Sequence, residues 1–181
     1  LHYEQALTRQ AQNGCWYNRS THYPWIGMRT ADPDNAHIEL LRGIENPIGI
    51  KIGPHFNAER FERMLNKLNP MHEPGRISLI TRLGAPRVSR ILPSIIQSIQ
   101  AMKTPVTWIC DPMHGNTEIT SHGFKTRHFN TILSELEQTI AIHQKMKSIL
   151  GGVHFELTGE HVSECLGGAQ NIQPTDLKDA Y

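Results

Sequence analysis

The sequence predicts an α/β fold built on a parallel sheet, and three observations carry that prediction. Short apolar runs ending in Gly, Pro or a polar residue recur along the chain. Helical stretches with one apolar side follow them, and side chains capable of chemistry gather where the apolar runs stop. Strand alternating with helix, five times over, selects parallel neighbours joined by right-handed crossovers.

The elements follow in order. His22–Gly27 reads as a strand, with a helix from Asp34 to about Ile44. Ile48–Pro54 is the second strand; Ala58–Leu68 follows as a helix, with Phe61, Met64, Leu65 and Leu68 on one side and Asn57 as its N-cap. Ile77–Thr81 is the third, ahead of a helix bearing Val88, Ile91, Leu92, Ile95, Ile99 and Met102, which Pro93 should kink or restart. Val106–Cys110 is the fourth, ahead of a long helix over 128–149 whose apolar face holds Phe129, Ile132, Leu133, Leu136, Ile140 and Met146. Val153–Leu157 is the fifth. Five such strands suit an open doubly wound sheet or part of an eight-stranded barrel, and periodicity does not separate the two. No GxGxxG follows any strand, which removes the main support for dinucleotide binding.

Composition narrows the function classes. At 181 residues the chain is the size of one domain, with 1–20 as a lead-in segment. Lys plus Arg (18) balances Asp plus Glu (17), so no global charge argues for nucleic acid or an anionic membrane. Three widely spaced Cys without a CxxC fit a reduced, cytoplasmic setting better than a disulfide framework. No apolar run is long enough to span a membrane, and no secretory signal opens the chain. It starts without Met and ends at Tyr181 with no disordered tail, so both ends are expected to be cuts through a longer protein.

The chemistry gathers around Cys110-Asp111-Pro112-Met113-His114-Gly115-Asn116-Thr117, where a strand stops in an Asp-Pro turn and presents a His. Arg29 follows the first strand, Lys51 interrupts the second, Arg82 closes the third, His114 follows the fourth and Glu156 lies in the fifth. In a parallel sheet those ends share one rim, so three cations and two metal-ligating groups can converge on one anion and one metal. Each has a plainer reading: a solvated charge for the Arg residues, a hydrogen-bonded loop His for His114, an outward carboxylate for Glu156. Lys51 resists its plain reading, because a Lys inside an apolar strand needs a partner. His154 is a rival ligand on the face of Glu156; Trp25 and Trp108 are core or pocket wall, and Cys110 a buried small hydrophobe. His72, His122, His143 and His161 have no evident partner.

These motifs resemble a family. Thr21 to Thr30, Asn46 to Pro54, Pro74-Gly75-Arg76-Ile77 through Thr81-Arg82-Leu83-Gly84, Cys110 to Thr117, Gly123 to Phe129 and Glu156 to Gln170 look like class II (plant-type) 3-deoxy-D-arabino-heptulosonate 7-phosphate (DAHP) synthase, in order and at family-like spacing. The resemblance implies a (β/α)8 TIM-type barrel, of which this chain carries roughly the last five strands as a single catalytic-domain fragment over 1–181. It implies condensation of phosphoenolpyruvate with erythrose 4-phosphate, the first step of the shikimate pathway, with a divalent metal, Mn²⁺ or Co²⁺. His114 and Glu156 would be metal ligands, with Lys51 and His114 as catalytic groups. Arg29, Lys51 and Arg82 would hold phosphoenolpyruvate, with the backbone at Met28, and Lys125 and Arg127 would lie near the aldose phosphate. A homo-oligomer, and a chorismate mutase as partner of the full-length protein, are implied as well. Two departures stand out. Met28 replaces the family's usual Glu, and the family's Cys and Asp metal ligands fall before Leu1 and after Tyr181, so the fragment alone is expected to be inactive. The competing readings are a non-catalytic relative that binds phosphorylated metabolites or regulates a partner, and a metal-dependent barrel hydrolase.

Overall fold

A computed structural model describes residues 1–160 and 162–177. A short helix α1 (His2–Ala6) and an antiparallel pair, β1 (Thr8–Gln10) and β2 (Trp16–Asn18), form the lead-in. Then come β3 (Trp25–Ile26), α2 (Ala36–Arg42), β4 (Ile48–Ile52), α3 (Ala58–Leu68), β5 (Ile77–Thr81), α4 (Ala85–Met102) and β6 (Thr107–Cys110). A 3-10 turn (His114–Asn116) and an antiparallel pair, β7 (Glu118–Ile119) and β8 (Lys125–His128), intervene before α5 (Phe129–Lys145) and β9 (Leu150–Val153). The two-residue β10 (Cys165–Leu166) pairs parallel with β8.

Five strands form one all-parallel sheet in the order β3-β4-β5-β6-β9, so each new strand is added beside the last. Ile48, Ile50 and Ile52 of β4 share one core with Ile77 and Leu79 of β5, Trp108 of β6 and apolar residues of α2 through α5. Side chains alternate across a strand, so the helices lie on one face and Gly49 and Lys51 point to the other. The register sets Ile52 beside Thr81 and Thr81 beside Cys110. Hence Lys51, Arg82 and Asp111 all stand at the C-terminal edge of the sheet.

Three sequence expectations are corrected. The fifth strand is Leu150–Val153 and not Val153–Leu157. Gly151 and Gly152 read as a break, yet a Cβ on Gly151 would meet Thr107 Cγ2 at 2.9 Å, so glycine is what lets this edge strand close on β6. The ladder ends as His154 N–H donates to the Cys110 carbonyl, and Glu156 falls in the loop beyond. Second, α4 does not restart at Pro93 but continues as one helix from Ala85 to Met102, with Leu92, Ile95, Ile96 and Ile99 buried around it. Third, α5 buries Ile132, Glu135, Thr139 and His143, while Phe129, Leu133 and Ile140 remain more than two-fifths exposed. Glu135, Thr139 and His143 Nδ1 each find a hydrogen-bond partner there, while His143 Nε2 has none among the described residues. The β7–β8 pair was not anticipated. No helix among the described residues is long and apolar enough to cross a membrane.

Candidate active site

The hub of the site is Asp111, a residue the sequence reading passed over as part of a turn. It directly follows β6 and is completely buried. Lys51 Nζ donates to its Oδ2 at 2.5 Å, and the Lys51 side chain is only 3% exposed. That ion pair is what makes a lysine inside an isoleucine strand affordable. Lys51 Nζ also lies 5.3 Å from the ring centre of Trp25. Asp111 Oδ1 accepts from the backbone N–H groups of Met113 and His114, each at 3.2 Å, closing the turn. Burial pushes the Asp111 carboxyl upward, but the hydrogen bonds from Lys51 and His114 and the Lys51 charge outweigh it and hold the group below its ordinary value.

His114 Nδ1 lies 2.9 and 2.8 Å from the two Asp111 oxygens. A carboxylate accepts only, so Nδ1 carries a proton, and in the neutral ring the lone pair is on Nε2. Nε2 faces Glu156 Oε1 at 3.1 Å. Two lone pairs at that distance are reconciled by a proton or by a shared cation. Cis ligands each about 2.1 Å from a divalent ion stand about 3 Å apart, so His114 and Glu156 fit such an ion as a pair. Among the described residues no group of three His, Cys, Asp or Glu gathers as a metal cluster.

The cations share a cavity with one member of that pair, His114. Arg29, Lys51, Arg82 and His114 line one cavity of about 580 Å³ together with Trp25, Gly27, Met28, Thr30 and His37. Arg82 also donates to the His114 carbonyl at 2.9 Å, tying the end of β5 to the loop after β6. Met28 is exposed at the cavity mouth and its sulfur lies directly over Gly53, where any Cβ would collide with it. His154 sits edge-on to Trp25, its ring centre 6.4 Å away. Burial, then the positive charge of Lys51, lower its pKa, which keeps it neutral.

The aldose-phosphate candidates stand apart from that cavity. Lys125 is exposed on β8. Arg127 is completely buried; its Nε donates to the Met113 carbonyl at 2.8 Å, it forms an ion pair with Glu164, and its Nη2 has no hydrogen-bond partner among the described residues. Met113 thereby joins three parts of the site, since its sulfur also accepts from Glu156 N–H at 3.3 Å. Nothing in an isolated Met residue signals that role. Of the histidines without an evident partner, His143 packs edge-on against Trp108 with Nδ1 3.0 Å from Ser148 Oγ, and His72 lies 3.4 Å from Thr104 Oγ1. His161 lies outside the described residues. Cys110 is fully buried, its thiol pushed up to about 12 chiefly by burial.

A sequential parallel sheet whose C-terminal edge presents a cationic cavity beside a carboxylate–histidine–carboxylate chain defines the class: an α/β protein with its polar, charged groups gathered at the C-terminal edge of its strands. A profile of the class-II DAHP synthetase family matches residues 1–181, and the chain belongs to that family. It is 51% identical over 168 residues to a phospho-2-dehydro-3-deoxyheptonate aldolase of Neurospora crassa, covering 92% of this chain and 35% of that protein. It is 44% identical over 187 residues to phospho-2-dehydro-3-deoxyheptonate aldolase AroG of Mycolicibacterium smegmatis, and 43% identical over 182 residues to the Streptomyces coelicolor phospho-2-dehydro-3-deoxyheptonate aldolase. Each of these two matches covers 100% of this chain and 40% of the relative. The chain thus spans 35–40% of the length of the curated relatives it matches.

Proposed function

We propose that this chain forms part of a DAHP synthase, which joins phosphoenolpyruvate to erythrose 4-phosphate with addition of water and release of phosphate. The observation that carries the reading is the cavity in which Arg29, Lys51 and Arg82 stand beside His114, whose free nitrogen faces Glu156. The added strand order, with α2 to α5 sharing one core against the sheet, supports a (β/α)8 barrel of which these are five strands. An open doubly wound sheet would reverse its strand order at a switch point.

In this mechanism Arg29 and Arg82 offer planar forks to the phosphate and carboxylate of phosphoenolpyruvate, and Lys51 adds a compact charge between them. Held face-on to the aldehyde, C3 of phosphoenolpyruvate forms the new carbon–carbon bond. Water then adds at C2, and phosphate leaves from that carbon. His114 and Glu156 would hold a divalent ion such as Mn²⁺ or Co²⁺, which would supply Lewis-acid polarisation of the aldehyde carbonyl. Asp111 orients the His114 ring through Nδ1 and holds the Lys51 ammonium in place. Lys125 and Arg127 are assigned to the aldose phosphate; the unpartnered Nη2 of Arg127 supports this for that residue. The backbone at Met28 is assigned to phosphoenolpyruvate, its side chain to the cavity mouth. Homo-oligomer assembly, a chorismate mutase partner and a cytoplasmic location belong to the same reading.

The test is phosphate release by the full-length protein with Mn²⁺, phosphoenolpyruvate and erythrose 4-phosphate. Release that needs both substrates is expected. The second reading, a non-catalytic binder, draws on Met28 at the cavity mouth. It would be upheld by calorimetry showing phosphoenolpyruvate binding without turnover under any divalent metal.

A further inference from the structure

The proposed mechanism leaves one buried carboxylate unused. Glu135 stands in the middle of α5 and is 1% exposed. Its Oε1 accepts from the backbone N–H groups of Leu83 and Gly84, each at 2.9 Å, and its Oε2 accepts from Asn116 Nδ2 at 2.6 Å. Asn116 completes the lattice: its Oδ1 accepts from Ala85 N–H at 2.9 Å and its Nδ2 also donates to the Pro112 carbonyl at 2.7 Å. The first N–H groups of α4 have no cap of their own, since Gly84 offers no side chain. Asn116 caps Ala85 N–H across the fold, while Glu135 takes the N–H groups of Leu83 and Gly84 just ahead of the helix.

These two segments carry Arg82 and His114. Residues 82–85 lead out of β5, and residues 111–116 lead out of β6. They touch where Gly84 and Gly115 cross; Gly84 has φ +86°, and a Cβ on Gly115 would lie 2.4 Å from Gly84 N. Glu135 binds both segments from beneath that crossing.

We infer that Glu135 is a positioning residue, one that fixes the Arg82 loop and the His114 loop in mutual register through Leu83, Gly84 and Asn116. This rests on the assignment of Arg82 to phosphoenolpyruvate and of His114 to the metal. Burial raises the Glu135 carboxyl against the hydrogen bonds that favour its charged form. A plain core position would be filled by an apolar side chain at no such cost.

Two substitutions in the full-length protein test it. In Glu135→Gln, Oε1 still serves Leu83 and Gly84, but the amide opposes the Asn116 amide, donor against donor. In Glu135→Gln/Asn116→Asp, the Gln amide donates to the new carboxylate, whose other oxygen still accepts from Ala85 N–H. The single variant is expected to lose tenfold to a hundredfold in kcat/KM for phosphoenolpyruvate, and to bind Mn²⁺ more weakly by calorimetry. The double variant is expected to recover part of the loss, since its new carboxylate accepts from the Gln amide but faces the Pro112 carbonyl acceptor to acceptor. A fall in melting temperature with kcat, KM and Mn²⁺ affinity unchanged would show a merely structural role and overturn the inference. If wild-type protein neither binds phosphoenolpyruvate nor turns over, the functional assignment itself falls, and the inference with it. Active wild type with unaltered Glu135→Gln kinetics overturns the inference alone.

Discussion

Replacing Asp111 by Asn is the sharpest perturbation the site allows, because it changes one charge and almost no volume. The carboxylate serves two sides at once: Oδ2 takes Lys51 Nζ, and Oδ1 takes the N–H groups of Met113 and His114, while His114 Nδ1 bridges both oxygens. An amide cannot satisfy both sides. Its NH2 meets the Lys51 ammonium in one orientation and two backbone N–H donors in the other. Either way an ammonium that is 3% exposed loses its counter-charge. Breaking a buried pair by removing one partner costs about 3–5 kcal/mol, so urea unfolding should register a loss of that order. His114 also loses the carboxylate that fixes its tautomer, and Mn²⁺ affinity should fall about 10–100-fold by titration. An Asp111→Asn protein within about 0.5 kcal/mol of wild-type stability, and within twofold in Mn²⁺ affinity, would refute the reasoning.

Further outcomes follow from the same geometry. Lys51→Met removes a charge from the anion cavity and should lower turnover by about 10²–10³-fold in the phosphate-release assay, with phosphoenolpyruvate affinity reduced as well. Gly115→Ala drives a methyl into the backbone of Gly84 and should destabilise by about 1–3 kcal/mol in urea unfolding, with activity lost beyond what stability explains. His143 is buried, and loss of hydration lowers its pKa to about 4 from an ordinary 6.5. A folded pKa below the unfolded one means the unfolded chain takes up the extra proton first. Stability is therefore whole above pH 6.5 and declines as pH falls towards 4, by at most about 3 kcal/mol. Urea unfolding of wild type and His143→Gln across that range should show a shallower slope in the variant.

Much of this arrangement was legible in the sequence. The β4, β5 and β6 strands were, because a run such as Ile48–Ile52 buried on both faces stays apolar apart from what function demands. Lys51 was readable for the converse reason, as a charge with no local excuse. Asp111 was not, since an Asp before Pro has a sufficient explanation in the turn, and its second role depends on residues 60 positions away. Glu135 was hidden the same way: on α5 it reads as a solvent-facing charge between apolar neighbours, and only tertiary contact with residues 83 and 84 turns it inward. The displaced fifth strand has another cause. Gly-Gly is a break by propensity, and nothing local announces that a neighbouring strand needs the space.

The central claim is that His114 and Glu156 hold one metal beside the Arg29–Lys51–Arg82 cavity. Anomalous diffraction at the manganese edge, from crystals of the full-length protein grown with Mn²⁺, tests it most directly. The account predicts a single strong anomalous peak in bonding contact with both His114 Nε2 and a Glu156 carboxylate oxygen, bordering that cavity. A manganese peak that touches neither residue would contradict it.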